Sequence, residues 1–289
     1  MNLGIPDTLL GLLLGTLASL CWGGADFIAR GASRQVGEHL TLFYVLTIGA
    51  IGVAAYTLPM GLSPVDARAA GLITGTALVT LVGYLSLYRA FRVGMLSVAS
   101  GIASCNAIIP IILALVILGE RPLPWQYGGI VLVLTGVVLL SIRRTGTLPM
   151  GTQSLGVGPA LTAMTLFGLG LFGMKLSVTA AGPATVALAV RVIGAVVLGG
   201  WLLTSGHLKA PPRGVRKALL AAGLLDAAAF IFFCEALTHT LLSLVAPISS
   251  TIPVVTVALA YFLLHERLRP NQWVGLVLAV GGVVLVAAT

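Results

Sequence analysis

The sequence predicts an all-α integral membrane protein: ten transmembrane helices forming two inverted five-helix repeats around a central cavity. Three observations predict this class. The chain is 58% hydrophobic and only 8% charged, with a mean hydropathy of +1.09, whereas soluble globular chains carry about 25% charged residues. Ten apolar stretches come close to the roughly 20 residues that a helix needs to cross the hydrocarbon core. Finally, Glu120-Arg121-Pro122-Leu123-Pro124-Trp125-Gln126-Tyr127-Gly128-Gly129 returns 146 positions later as Glu266-Arg267-Leu268-Arg269-Pro270-Asn271-Gln272-Trp273-Val274-Gly275. A unit written twice is strong evidence of architecture.

Spans 1 to 5 cover residues 8–29, 38–59, 67–89, 95–118 and 124–142. Spans 6 to 10 cover 154–176, 183–205, 215–237, 241–264 and 270–288. The two longest connections, 143–153 and 206–214, are polar or rich in Pro and Gly, and none is large enough for a soluble domain. The repeat runs through every span. Trp22-Gly23 and Phe27 align with Phe167-Gly168 and Phe172, Arg30 with Lys175, Gly49-Ala50 with Gly194-Ala195, Ser97 with Ser243, and Ser104 with Ser250. Residues 1–146 and 147–289 are therefore the predicted halves. Because five is odd, equivalent helices cross in opposite directions, the inverted repeat from which many secondary transporters are built.

The net charge of +8 comes mostly from short loops between apolar spans, so it marks membrane flanks and not a nucleic-acid partner. With the termini inside, the inner loops hold three basic residues and the outer loops twelve, so the positive-inside rule alone places both termini outside. Cys21, Cys105 and Cys234 lie within apolar spans and have neither metal-ligand nor disulfide spacing. The first basic residue is Arg30, so the N-terminus lacks the basic region of a cleaved signal peptide.

Ser19-Leu20-Cys21-Trp22-Gly23-Gly24-Ala25-Asp26-Phe27, together with Gly119-Glu120-Arg121 and His265-Glu266-Arg267, resembles the first-helix Trp-Gly motif and the doubled Gly-Glu-Arg turn of the EamA-type family of the drug/metabolite transporter superfamily. The resemblance covers essentially the whole chain. It implies a ten-helix transporter of the inner (plasma) membrane, with cytoplasmic termini and a cavity lined by helices 1, 3, 4, 6, 8 and 9. It also implies export of small metabolites, with amino acids, aromatic ones included, as the expected substrates and a drug, a nucleotide sugar or another organic solute as the alternative. His265 departs from the motif's Gly, and Arg191 in span 7 faces Leu46 as its repeat equivalent in span 2.

A charged group within a span needs a partner or water, because burial in lipid costs a few kcal/mol even on the mildest scale. Arg191 and Asp226 lie mid-span, Asp26 and Glu235 nearer span ends. They read either as a clamp for a zwitterion or a proton-coupling carboxylate, or as a structural ion pair such as Arg191 with Asp226. Span 4 carries Ser100, Ser104 and Asn106 before Pro110; span 9 carries Ser249 and Ser250 between Pro247 and Pro253. A mid-span proline frees a carbonyl, and irregular backbone at membrane depth is tolerated where it faces protein or a wet cavity. Close packing through Ser, Gly and Ala is the alternative.

Trp22, Tyr84, Tyr88, Phe167, Phe172 and Phe230 are candidate walls of the cavity, or else lipid-facing. Glu120 and Glu266 are expected to complement the dipoles of spans 5 and 10, at whose starts they stand. Gly129 and Gly136 on span 5 echo Gly275, Ala279 and Gly282 on span 10, as a packing seam or a dimer face, so the chain is expected as monomer or homodimer.

An intramembrane aspartyl enzyme using Asp26 and Asp226 is the competing class, but neither residue has the Gly-x-Gly-Asp context, and zinc, P-loop and nucleophile-elbow motifs are absent. No ring of like charge or carbonyl filter suggests a channel. The expected partners are a small-molecule substrate and the lipid bilayer, with no cofactor and no metal.

Overall fold

The computed structural model describes residues 6–93, 102–141, 156–264 and 269–288. Among these residues every regular element is helical. The helices are α1 (Asp7–Val36), α2 (Glu38–Thr57), α3 (Ala67–Val93), α4 (Ile108–Val116), α5 (Pro124–Ser141), α6 (Val157–Ala181), α7 (Pro183–Thr204), α8 (Arg213–His239), α9 (Leu242–Ser249), α10 (Ile252–Leu264) and α11 (Pro270–Ala287). Short 3-10 turns occupy Leu58–Met60 and Ser104–Ala107. Among the described residues, eight helical segments are long and apolar enough to cross a membrane, with α9 and α10 counted as one broken span. The described parts of spans 4 and 5 are shorter apolar helices. Exposed Ile51, Val196, Phe262 and Val284 coat the outside, where lipid tails replace water.

Two sequence expectations need correction. The first helix continues to Val36, so Arg34 rides on its last turn and does not sit in a loop. Span 9 is two helices: α9 ends at Ser249, Ser250 and Thr251 form a turn, and α10 restarts at Ile252 with Pro253 in its first turn. Pro253 has no N–H for the Ser249 carbonyl, so the break falls where the sequence removes a donor.

The backbone repeats itself where the sequence does. Gly37 joins α1 to α2 with φ 82°, and Gly182 joins α6 to α7 with φ 76°. Each amide donates to the carbonyl four residues back, Ser33 and Val178 respectively, at 2.9 Å. A side chain rarely adopts this left-handed backbone, which explains glycine at both corners.

The most extensive contacts join one half of the chain to the other: α1 with α8, α3 with α6, α5 with α11, and α2 with both α7 and α8. Exchanging the halves turns the α1/α8 pair into α6/α3, and returns α5/α11 and α2/α7 to themselves. The repeat-equivalent α2 and α7 run antiparallel: Phe43 meets Gly199, Leu46 meets Gly194, and the Ser63 amide donates to Thr185 Oγ1 at 2.9 Å.

The α5/α11 seam is antiparallel too. A Cβ on Gly136 would meet the Gly275 carbonyl at 2.6 Å, and one on Gly282 would meet the Gly129 carbonyl at 2.7 Å. Backbones can approach this closely only through small residues. The face left open between packing and dimerisation is thus an internal seam. Gly136→Leu is expected to destabilise the protein by at least about 1–3 kcal/mol, because its obstacles are backbone atoms. Gly281→Leu on α11, the helix across the seam, has open space and should be silent. Thermal unfolding of the two variants in detergent checks the contrast.

Candidate functional site

The helices bring six of the sequence-selected residues to one place. Arg191 and Asp226 are 1% and 4% exposed, and Arg191 Nη2 donates to Asp226 Oδ1 at 2.7 Å. The guanidinium carbon lies 3.3 Å from the centre of the Phe230 ring. Such a desolvated cation–π contact contributes about 2 kcal/mol. Phe230 is one turn beyond Asp226 on α8, so one face of that helix supplies both the counter-ion and the aromatic platform. The Trp22 ring packs edge-on against Phe230 and tilted against Phe233, both at 5.4 Å. Its indole nitrogen lies beside the Asp226 carboxylate without an aligned hydrogen bond. Tyr84 meets Phe167 edge-on at 4.9 Å, and its phenol lies beside the Arg191 guanidinium.

The α2 wall is made of small residues: a Cβ on Gly49 would come within 3.2 Å of Asp226 Oδ2. The two charges are only partly satisfied. Arg191 Nε, Asp226 Oδ2 and Trp22 Nε1 are all buried with no hydrogen-bond partner among the described residues. Two donors and one acceptor therefore stand unused in an aromatic-lined setting, where an unpaired polar group is costly.

A second group stands beside the break between α9 and α10. Ser250 Oγ donates to Asn106 Oδ1 at 3.0 Å, linking the irregular parts of spans 9 and 4 across the halves. The Asn106 carbonyl, deprived of a donor by Pro110, faces Gly168 of α6, where a Cβ would meet it at 2.8 Å. Ser249 turns back to the Ala246 carbonyl at 3.1 Å. Ser19 and Thr251 share a buried hydroxyl contact at 2.9 Å. Ser19 precedes Trp22 by three positions on α1, so the same helix face touches both groups.

Asp26 is exposed, one turn from Trp22 on α1, and its charge acts on the Tyr84 phenol. The partner that the structure gives Asp226 is Arg191. Glu235 lies nine residues along α8 from Asp226, about 13 Å away at the helical rise. Ser100 lies outside the described residues, and so do the side chains of Tyr88 and Ser104.

The Glu-Arg turn plays a part the sequence did not suggest. Glu120, 8% exposed, does not serve the start of α5. Its Oε1 accepts from the Leu242 amide at 2.9 Å, and its Oε2 accepts from the Ser243 amide at 2.8 Å and from Ser243 Oγ at 2.6 Å. It thereby caps α9 in the other half. Lys175 lies within α6 and not in a loop. In the structure it donates to the Leu237 carbonyl at 2.6 Å and to Thr240 at 3.4 Å, closing the end of α8. An anion at one helix start and a cation at the preceding helix end hold the α8–α9 corner from both sides. The sequence signals were the alignment of Ser97 with Ser243 and of Arg30 with Lys175, whose partners it could not name.

The fold is shared with a solved crystal structure titled only as that of a protein, at a TM-score of 0.81 with 17% identity and 95% of each chain covered. Protein RarD of Streptomyces exfoliatus is 26% identical over 175 residues, 59% of this chain. The chain spans about half the length of that curated relative, 52% of it. The model of the EamA-like transporter family matches twice, over residues 9–142 and 154–288. With two copies of the family unit filling a multi-pass helical fold, the chain belongs to the EamA-like transporter family.

Proposed function

We propose that this chain exports amino acids, aromatic ones included, by alternating access between two inverted five-helix repeats, residues 1–146 and 147–289, ten spans in all. The carrying observation is the set of unused polar atoms at the buried ion pair. A zwitterion complements them: its carboxylate accepts from Arg191 Nε–H and Trp22 Nε1–H, and its ammonium donates to Asp226 Oδ2. An aromatic side chain finds Phe230, Phe233, Tyr84 and Phe167 as neighbours. The broken α9–α10 span is the type of discontinuous helix found at midplane sites in secondary transporters. Antiparallel α2/α7 and α5/α11 support the inverted arrangement, and a plasma or inner membrane is the setting we propose, with the chain as monomer or homodimer.

The test is a ligand panel on purified protein, because a ligand stabilises the state it binds. Phenylalanine, tyrosine or tryptophan is expected to raise the unfolding temperature and to cross liposomes containing the protein. Trp22→Ala should abolish both effects. A panel in which no amino acid shifts unfolding overturns the substrate class. In the same liposomes, flux that ignores a pH gradient and survives Asp226→Asn removes proton coupling through that residue.

A further inference from the structure

A groove of about 470 Å³ lies between α3 and α6, away from the ion pair. Its volume falls within the range of ligand pockets, about 300–1,000 Å³. Ala67, Gly71, Leu72, Gly75 and Val79 form one wall and Leu169 and Gly173 the other, with Arg68 at its end. Gly71 and Gly75 create the space: a Cβ on either meets nothing within 4 Å. The floor is closed by Thr76 Oγ1, which shares a hydrogen bond with Ser177 Oγ at 3.3 Å. The lining is therefore apolar along its length and cationic at one end.

The dimensions and the charge agree on an occupant. From Ala67 to Val79 the groove follows twelve helical steps, about 18 Å at 1.5 Å per residue. Half of a hydrocarbon core of about 30 Å is about 15 Å, so the groove is long enough to hold an acyl chain across one leaflet. Arg68 stands in the first turn of α3 and is exposed. The nearest acid in sequence, Asp66, is engaged: its Oδ1 accepts from the Ala69 amide at 2.7 Å and caps α3. Basic pockets between membrane helices attract anionic headgroups.

We propose that the α3/α6 groove is a binding site for one anionic phospholipid, with an acyl chain along Gly71 and Gly75 and the phosphate on Arg68. Such a lipid would lie against the α3/α6 pair, the partner of α1/α8 under exchange of the halves, and would hold it together from the bilayer side. The inference does not depend on which solute is exported.

Native mass spectrometry of the full chain released from detergent tests it, with phosphatidylglycerol, phosphatidylcholine and soluble glycerol phosphate as probes. Phosphatidylglycerol is expected to be retained in preference to phosphatidylcholine. Arg68→Gln should lower its apparent affinity about fivefold, the effect of one basic residue at an anionic surface, and leave phosphatidylcholine unchanged. Gly75→Leu should remove both lipids. Leucine at that helical, open position favours the helix, and an unchanged unfolding temperature without lipid verifies the fold. Equal retention of the two lipids, full phosphatidylglycerol binding by Gly75→Leu, or displacement by glycerol phosphate at the same concentration as the lipid each overturns the proposal.

Discussion

Arg191→Met is expected to destabilise the protein by about 3–5 kcal/mol, as is Asp226→Leu, because each leaves a lone charge in a buried site. The double variant Arg191→Met/Asp226→Leu should recover most of that loss, since replacing a buried pair with apolar side chains is often neutral or better. Thermal unfolding in detergent reads the three values. Solute flux separates structure from function: it should vanish in all three variants, because the double restores packing and not the clamp. Single variants that lose less than about 1 kcal/mol would mean that water reaches the pair. A double variant as unstable as the sum of the singles would mean that the two residues are not energetically coupled.

The second large effect is expected at Glu120. Its carboxylate accepts three hydrogen bonds at the start of α9, two from backbone amides that have no helical alternative. Bonds to a charged group contribute about 1.5–3 kcal/mol each, and they overlap, so Glu120→Ala should cost about 3 kcal/mol or more. Glu120→Gln keeps one acceptor oxygen and should lose about half as much. Hydrogen exchange at the Leu242 and Ser243 amides locates the damage: it should accelerate strongly there and hardly at all in α5. Faster exchange confined to α5 would return the residue to the role its sequence position suggested.

What the sequence could tell follows from the range of each signal. Apolar length and the 146-residue echo are properties of the chain itself, so helix positions, the duplication and the small-residue seam were all legible. A proline acts locally, on the carbonyl four residues before it, so the break in span 9 was legible near Pro247 and Pro253, although not as two separate helices. Arg191, Asp226, Trp22, Tyr84 and Phe167 were selected because charge and aromatic bulk are conspicuous in apolar helices. Which of them touch was not readable, since their contacts join α1, α3, α6, α7 and α8. Glu120 shows the limit most clearly. Its partners stand 122 and 123 residues away, and nothing local to a Glu-Arg turn points to them. Phe233 and Ser19 escaped notice because one more Phe or Ser in an apolar helix is unremarkable until its neighbour is known.

The seam between α5 and α11 has an evolutionary consequence. Gly129 packs on Gly282 and Gly136 on Gly275, and each of these contacts is the other with the halves exchanged. The surface is self-complementary, as in an isologous twofold interface. A free-standing ancestor of half the length would therefore have carried, on its last helix alone, the information to recognise a second copy of itself inserted upside down. Fusion of two such copies needed no new interface; it fixed the stoichiometry and freed the two faces to diverge. The divergence is visible where Leu46 in one copy became the counterpart of Arg191 in the other, a change that an assembly of identical subunits could make only on both sides at once.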